Sequence, residues 1–340
     1  MNCGQATSRR VVVCWRLDLS VDFHLPNGPG ALSLRARMKT TPVNAPADLR
    51  NSVIAVPPLC RNADLSLSRV ENAKLIQHMH RGGIRTLLYG GNANLYNIAV
   101  SEYAELLTML REISPEDMWV VPSVGPMYGT AMDQAAILKD HQYPTAMLLP
   151  TLFPSKPAGV ATAIRHFVER SGLKAVLYIK DESYITPELA AELVNDGLIS
   201  WIKYAVVKPD PAQDAYLSKL ITLVNTDLIV SGIGEQPAIV HLRDFGITGF
   251  TAGCVCVNPQ LSTDMLHAIQ AGDYAKAEQI RAIFQPLEDL RNAHSPILVL
   301  HHAVTLSGVA NTGPVLPLLT ELSAELLPAI EKAAKELLAR

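Results

Sequence analysis

From residue 52 onward, eight short apolar runs recur with amphipathic stretches between them, and this alternation restricts the fold more than any other feature. The runs are Ser52–Val56, Thr86–Tyr89, Trp119–Ser123, Ala146–Leu149, Ala175–Ile179, Trp201–Ala205, Leu228–Ser231 and Gly249–Ala252. Each has the length of a strand and lacks strict apolar–polar alternation, as expected for parallel strands covered on both faces. Between them, apolar residues repeat at helical spacing over Leu67–Arg81, Val100–Glu112, Ala131–Lys139, Gly159–Ser171, Pro187–Asp196, Asp214–Leu223 and Pro237–Phe245. Gly82-Gly83 stops the first of these, and Pro187 and Pro237 stand at helix starts, where a missing N–H costs nothing. Strand–helix units repeated in this way predict an α/β fold, a TIM (β/α)8 barrel. The competing arrangement is an open doubly wound sheet, but no G-x-G-x-x-G follows the first strand.

Four more helical stretches come after the eighth run: Leu261–Ala271, Tyr274–Asn292, Ile297–Ser307 and Pro317–Leu338. The chain therefore divides into an N-terminal extension (1–48), a barrel (49–257) and a C-terminal helical region (258–340). The extension differs in character: Arg9, Arg10, Arg16, Arg35 and Arg37 outnumber Asp18 and Asp22, and Asn27-Gly28-Pro29-Gly30 breaks any regular element. Val11–Trp15 is too short and too poorly flanked for a secretory signal. A targeting segment, an extra strand and a mis-set start, with Met38 as the natural first residue, are the alternatives.

The formal charge of −3 on 340 residues gives no basis for binding nucleic acid or anionic lipid. No apolar run approaches the roughly 18 residues needed to span a bilayer. Cys3, Cys14, Cys60, Cys254 and Cys256 form neither a metal spacing nor a disulfide framework, which suits a reducing cytoplasm. The expected partner is a small molecule. His78 and His80, two apart on a helix, and the adjacent His301-His302 lack the i, i+4 geometry of a helical metal site, so no metal is expected.

In a TIM barrel the active site lies at the C-terminal ends of the strands. Lys203 lies near the end of the sixth, in Ile199-Ser200-Trp201-Ile202-Lys203-Tyr204-Ala205-Val206. A lysine inside such an apolar strand either reaches water, pairs with a carboxylate or has its pKa lowered by desolvation. In the last case it becomes a nucleophile able to form a Schiff base. Tyr178 ends the fifth strand, where a phenol can move protons or simply fill the core. Lys180 shares its strand face and is a rival nucleophile. Gly90-Gly91-Asn92 follows the second strand, and successive backbone amides in such a turn can hold a carboxylate. Ser123, Tyr128, Ser183, Glu235 and Asn258 are further strand-end candidates for binding substrate.

Over about residues 50 to 335 the chain resembles the pyruvate-dependent class I aldolases of the dihydrodipicolinate synthase / N-acetylneuraminate lyase family. Gly90-Gly91-Asn92-Ala93-Asn94 stands at the family's Gly-(Gly/Ser/Thr)-Thr-Gly-Glu loop, Leu177-Tyr178-Ile179 at its Tyr-Asn-x-Pro, and Trp201-Ile202-Lys203 at its Gly-(Ile/Val/Leu)-Lys. Ser231-Gly232, Gly246–Phe250 and Asn258-Pro259 match the last two strands. The resemblance implies a covalent Schiff base on Lys203 with no other cofactor, Tyr178 in proton transfer, and a 2-oxo acid substrate held by Gly90, Gly91 and Asn92. It also implies a homo-oligomer, a dimer or tetramer.

The departures bear on substrate. Gly91 and Asn92 replace loop hydroxyls, and Asn94 replaces the loop Glu. Ile179 and Asp181 replace the Asn and Pro of Tyr-Asn-x-Pro. Ser183 stands near the position of an Arg that grips the second substrate in dihydrodipicolinate synthases, and Thr151-Leu152-Phe153-Pro154 offers no relay phenol. The expected function is a Schiff-base lyase or synthase that is not a true dihydrodipicolinate synthase. The alternatives are a paralogue that binds without turnover and a barrel enzyme of another class.

Overall fold

The computed structural model describes Met1, residues 38–43 and residues 45–340. Residues 2–37 and Asn44 lie outside the described residues, and with them most of the N-terminal extension. The strands are β1 Ile54–Ala55, β2 Thr86–Leu88, β3 Trp119–Val121, β4 Ser123–Val124, β5 Ala146–Leu148, β6 Ala175–Ile179, β7 Ile199–Tyr204, β8 Ile229–Ser231 and β9 Gly249–Ala252. Every pairing is parallel, in the order β3-β2-β1-β9-β8-β7-β6-β5-β4.

The two ends of that order are one stave. The sequence predicts a single third strand, Trp119–Ser123, and the structure splits it at Pro122. Proline has no N–H to give the ladder. Its carbonyl still accepts from the Met147 N–H at 2.9 Å, so the ring of strands closes across the break. Eight staves result, as the run count predicts.

The helices are α1 Ala47–Arg50, α2 Arg69–Arg81, α3 Val100–Ile113, α4 Tyr128–Lys139, α5 Pro157–Ser171, α6 Pro187–Asn195, α7 Ala215–Leu223, α8 Ala238–Asp244, α9 Pro259–Gln270, α10 Tyr274–Ala293, α11 Pro296–Leu306 and α12 Leu327–Leu338. Several starts are chemically fixed. The Thr186, Asp214, Asn258, Asp273 and Ser295 side chains each accept from a backbone N–H three residues on. The predicted helix Pro317–Leu338 is a correction: only Leu327–Leu338 is helical. Proline at 314 and 317 disfavours helical backbone before it, and Leu318 adopts φ 75°, which a right-handed helix excludes.

The strand residues are buried almost without exception, with Trp119, Trp201, Tyr204 and Phe250 the largest. The C-terminal helices close over the barrel. The apolar stripe of α10, carrying Ile280, Phe284 and Leu287, faces inward and continues into buried Glu288 and Arg291. That stripe brings charged groups from the helical region to the mouth of the barrel.

Candidate active site

Lys203 and Tyr178 are direct neighbours in the register between β7 and β6. Residues paired in this way point to the same side, and both side chains reach a cavity of about 230 Å³ at the C-terminal ends of the strands. The Lys203 Nζ lies 4.5 Å from the centroid of the Tyr178 ring. Lys203 is 5 % exposed, and no carboxylate among the described residues comes within 4.0 Å of its amine. Burial, reinforced by the positive charges of Lys180 and Arg291, lowers its pKa to about 7.

The nearby acids are engaged elsewhere. Asp181 accepts from the Ser183 N–H at 2.8 Å and from its hydroxyl at 2.6 Å. Glu182 pairs with Lys208. Gly232 allows the lysine stem to pass: a Cβ there would lie 2.6 Å from the Ala205 Cβ and 3.0 Å from the Lys203 Cγ. The Tyr178 phenol is pushed up by burial and by Tyr96, so it stays a neutral O–H that can donate and accept.

On the opposite wall, Gly91 and Asn92 line the cavity. The Asn92 amide donates to the Val56 carbonyl at 2.8 Å, which fixes that side chain against the first stave. Gly90 does not line the cavity. A Cβ there would sit 2.7 Å from the Met147 Cε, so this glycine permits close packing below the turn. Asn94 holds φ 53°, and its buried Nδ2 has no hydrogen-bond partner among the described residues.

The other candidates disperse. Ser183 is exposed and tied to Asp181. Ser123 is buried and donates to the Tyr89 carbonyl at 2.7 Å. Tyr128, 53 % exposed, meets His166 Nδ1 at 2.9 Å in a separate cleft. Asn258 caps α9 and donates to the Leu337 carbonyl. Glu235 lies behind Gly234, fully buried. One oxygen accepts from the Ser262 hydroxyl at 2.9 Å and the other has no hydrogen-bond partner among the described residues. Burial and then Glu288 raise its pKa.

Two wall residues escape sequence reasoning, Glu288 and Arg291 of α10. The Arg291 Nη1 donates to Glu288 Oε1 at 2.8 Å and faces the Cys254 Sγ at 3.9 Å, while its Nε donates to the Pro296 carbonyl at 3.3 Å. Glu235, Cys254 and Glu288 bring possible metal-ligand atoms within 4.8 Å of one another, but the guanidinium already supplies a cation there. The four histidines weighed as metal ligands each meet another group: His78 the Val257 carbonyl, His80 Asp117, His301 the Gly313 carbonyl and His302 Glu321. No helix among the described residues is long and apolar enough to cross a membrane.

Comparison with known proteins agrees with this architecture. Residues 52–337 match the model of the dihydrodipicolinate synthetase family. A 4-hydroxy-tetrahydrodipicolinate synthase of Corynebacterium diphtheriae is 21 % identical over 278 residues, which are 81 % of this chain and 90 % of that protein. A Streptomyces avermitilis protein named "Probable 5-dehydro-4-deoxyglucarate dehydratase 1" is 23 % identical over 215 residues, 59 % of this chain and 65 % of its own length. The crystal structure of dihydrodipicolinate synthase from Bacillus clausii superposes with TM-score 0.75 at 22 % identity, covering 86 % of this chain and 98 % of that one.

Proposed function

The chain belongs to the dihydrodipicolinate synthetase family, and on that premise we propose that it is a Schiff-base-forming lyase or synthase of aldolase type acting on pyruvate or another 2-oxo acid. The observation that carries this reading is the Lys203 amine, buried, without a carboxylate partner among the described residues, and beside Tyr178 in the cavity. With a pKa of about 7, roughly half of the amine is free base at neutral pH.

The free Nζ attacks the ketone carbon and forms a carbinolamine. The ketone oxygen takes up protons and leaves as water, and an iminium C=N replaces C=O. Tyr178 moves the protons between nitrogen and oxygen. The iminium then accepts the electron pair from the neighbouring carbon, which allows a C–C bond to form or break, or a hydroxyl to leave. The backbone amides of Gly91 and Asn92 hold the carboxylate. No further cofactor enters these steps.

Two features argue against 4-hydroxy-tetrahydrodipicolinate synthase activity itself. Ser183, near the position where the family resemblance calls for an Arg, is turned to its own loop. The exposed Leu152 and Phe153 stand where a relay phenol would. The same departures favour, as the second reading, a paralogue that binds its 2-oxo acid without turnover. Borohydride reduction in the presence of pyruvate and a panel of 2-oxo acids, followed by peptide mass spectrometry, tests the first reading. The expected result is an adduct on Lys203 that is absent from Lys203→Ala. No adduct with any 2-oxo acid would sink it.

A further inference from the structure

We propose that Tyr96 reloads Tyr178 with protons and so links the Schiff-base cavity to water in a neighbouring groove. The inference rests on the Schiff-base reading above and adds a residue to it.

The first observation is a proton balance. A free amine and a ketone become an iminium and one water only when one further proton enters. The nitrogen gives one of its two protons to the ketone oxygen, and the second proton on the leaving water comes from elsewhere. Tyr178 can supply that proton once and is then a phenolate. Burial disfavours this phenolate, so it takes up a proton from any donor in reach. Arg291 on the same wall cannot shed a proton. Glu288 is its ion-pair partner.

The second observation is the pairing of phenols. Tyr96 and Tyr178 both line the cavity of about 230 Å³. Neither hydroxyl has a hydrogen-bond partner among the described residues, and neither is sealed from the cavity as the Tyr89 hydroxyl is. The charge of an ionised Tyr96 would be felt at Tyr178, whose pKa it raises. Burial pushes Tyr96 itself up to about 12, so it carries its proton at neutral pH and gives it only to a strong base such as a buried phenolate. No direct hydrogen bond joins the two hydroxyls, and one water in the cavity spans them.

The third observation is placement. Tyr96 lies in a single 3₁₀ turn, Leu95–Asn97, after β2. That turn is held by the Leu95 N–H donating to the Gly90 carbonyl at 3.2 Å and by the Asn97 amide donating to Asn94 Oδ1 at 2.9 Å, with Leu95 buried beneath. Tyr96 lines both the cavity and a neighbouring groove walled by Pro126, Thr130 and Leu316, and among the described residues no other lines both. Met127 and Leu318 on that groove are exposed, so it meets water. A proton taken up there by Tyr96 reaches the cavity without crossing the mouth that substrate fills. Lys180, exposed at that mouth, is the competing donor.

The test is rapid-quench borohydride trapping on the intact protein with pyruvate, or with the first acid of the panel above that forms an adduct. Tyr96→Phe keeps the ring and breaks no hydrogen bond among the described residues, so the fold is expected to hold. At saturating acid its rate of adduct formation is expected to fall about tenfold, with the half-saturating concentration unchanged. Raising the concentration of an imidazole buffer at fixed pH and ionic strength is expected to restore that rate and to leave wild type unaffected, because a small acid then does the reloading. Tyr96→Phe combined with Tyr178→Phe is expected to be no slower than Tyr178→Phe alone, since Tyr96 acts through Tyr178. A Tyr96→Phe rate equal to wild type, a slow rate indifferent to buffer, or losses that multiply in the double variant each overturn the proposal. A buffer-dependent loss in Lys180→Gln in place of Tyr96→Phe assigns the reloading to that amine and overturns it too. Absence of an adduct on wild type with every acid, or an adduct that persists in Lys203→Ala, overturns the Schiff-base reading instead.

Discussion

Lys203 at the end of β7 and Arg291 on α10 are both buried cations on the wall of one cavity, yet they are accommodated in opposite ways. Arg291 lies against Glu288 at 2.8 Å, with Glu235 close behind. Lys203 has an aromatic ring beside it and two like charges near it. The difference follows from chemistry. A guanidinium cannot shed its proton in a protein, so its burial requires a counterion. An amine can, so burial without a counterion converts desolvation into a free nucleophile. Within one cavity, the cation without a carboxylate partner among the described residues is the one proposed to react, and the cation with such a partner is the fixed one.

The hardest test of this comparison is to remove the amine. Lys203→Ala is expected to abolish borohydride trapping and any turnover, while Lys203→Met, which keeps the bulk, is expected to stabilise the fold. The sign follows from the direction of the shift. The amine's pKa falls from 10.5 to about 7 on folding, so between those values the unfolded chain binds more protons than the folded one. Wild-type stability therefore rises with pH across that window, and the penalty for burying the ammonium is complete below about pH 7. At pH 7 Lys203→Met should gain on the order of 4 kcal/mol in urea denaturation, and the gain should shrink towards pH 10. Trapping by wild type should rise about tenfold per pH unit below 7 and flatten above it.

Breaking the paired cation should act in the opposite direction. Glu288→Ala strands the buried Arg291, and urea denaturation is expected to show a loss of about 3–5 kcal/mol. Glu235→Gln, a neutral isostere of a carboxyl whose pKa is already raised, should cost far less. Equal losses from the two would mean that Glu288 is not the counterion.

These two residues also mark where sequence reasoning ends. The staves are legible because each is a local apolar run, and Lys203 because a charge inside such a run is anomalous. Tyr178 is legible as the end of a strand. Glu288 and Arg291 carry no comparable local mark. On α10 they read as one more charged pair three residues apart, and only the packing of α10 across the barrel mouth brings them to the cavity. The one available signal was their position on the stripe of Ile280, Phe284 and Leu287. Pro122 hides the break in the third stave for a different reason: its carbonyl keeps the ladder closed although its nitrogen cannot.

Tyr178→Phe removes the phenol oxygen and keeps the ring beside Lys203. If the phenol moves protons, single-turnover adduct formation should slow about a hundredfold. The pH at which trapping reaches its plateau should change little, because burial is the leading cause of the lysine's lowered pKa. A Phe variant that traps as fast as wild type would leave the ring as packing and the proton work to another group.

Ser183→Ala is expected to have the smallest effect. Sequence reasoning places Ser183 with the substrate because it follows a strand end, near the position of a substrate-gripping Arg in dihydrodipicolinate synthases, but position along a loop does not fix direction. Its backbone N–H and its hydroxyl both donate to Asp181 Oδ1, and the residue is exposed outside the cavity wall. Losing the hydroxyl removes one exposed hydrogen bond, and Asp181 keeps the backbone donor. The expected change is within about 0.5 kcal/mol in stability, with no change in borohydride trapping of a 2-oxo acid. Loss of trapping would mean that this loop turns inward when substrate binds, and the site would then extend from the β6 end onto the segment before α6.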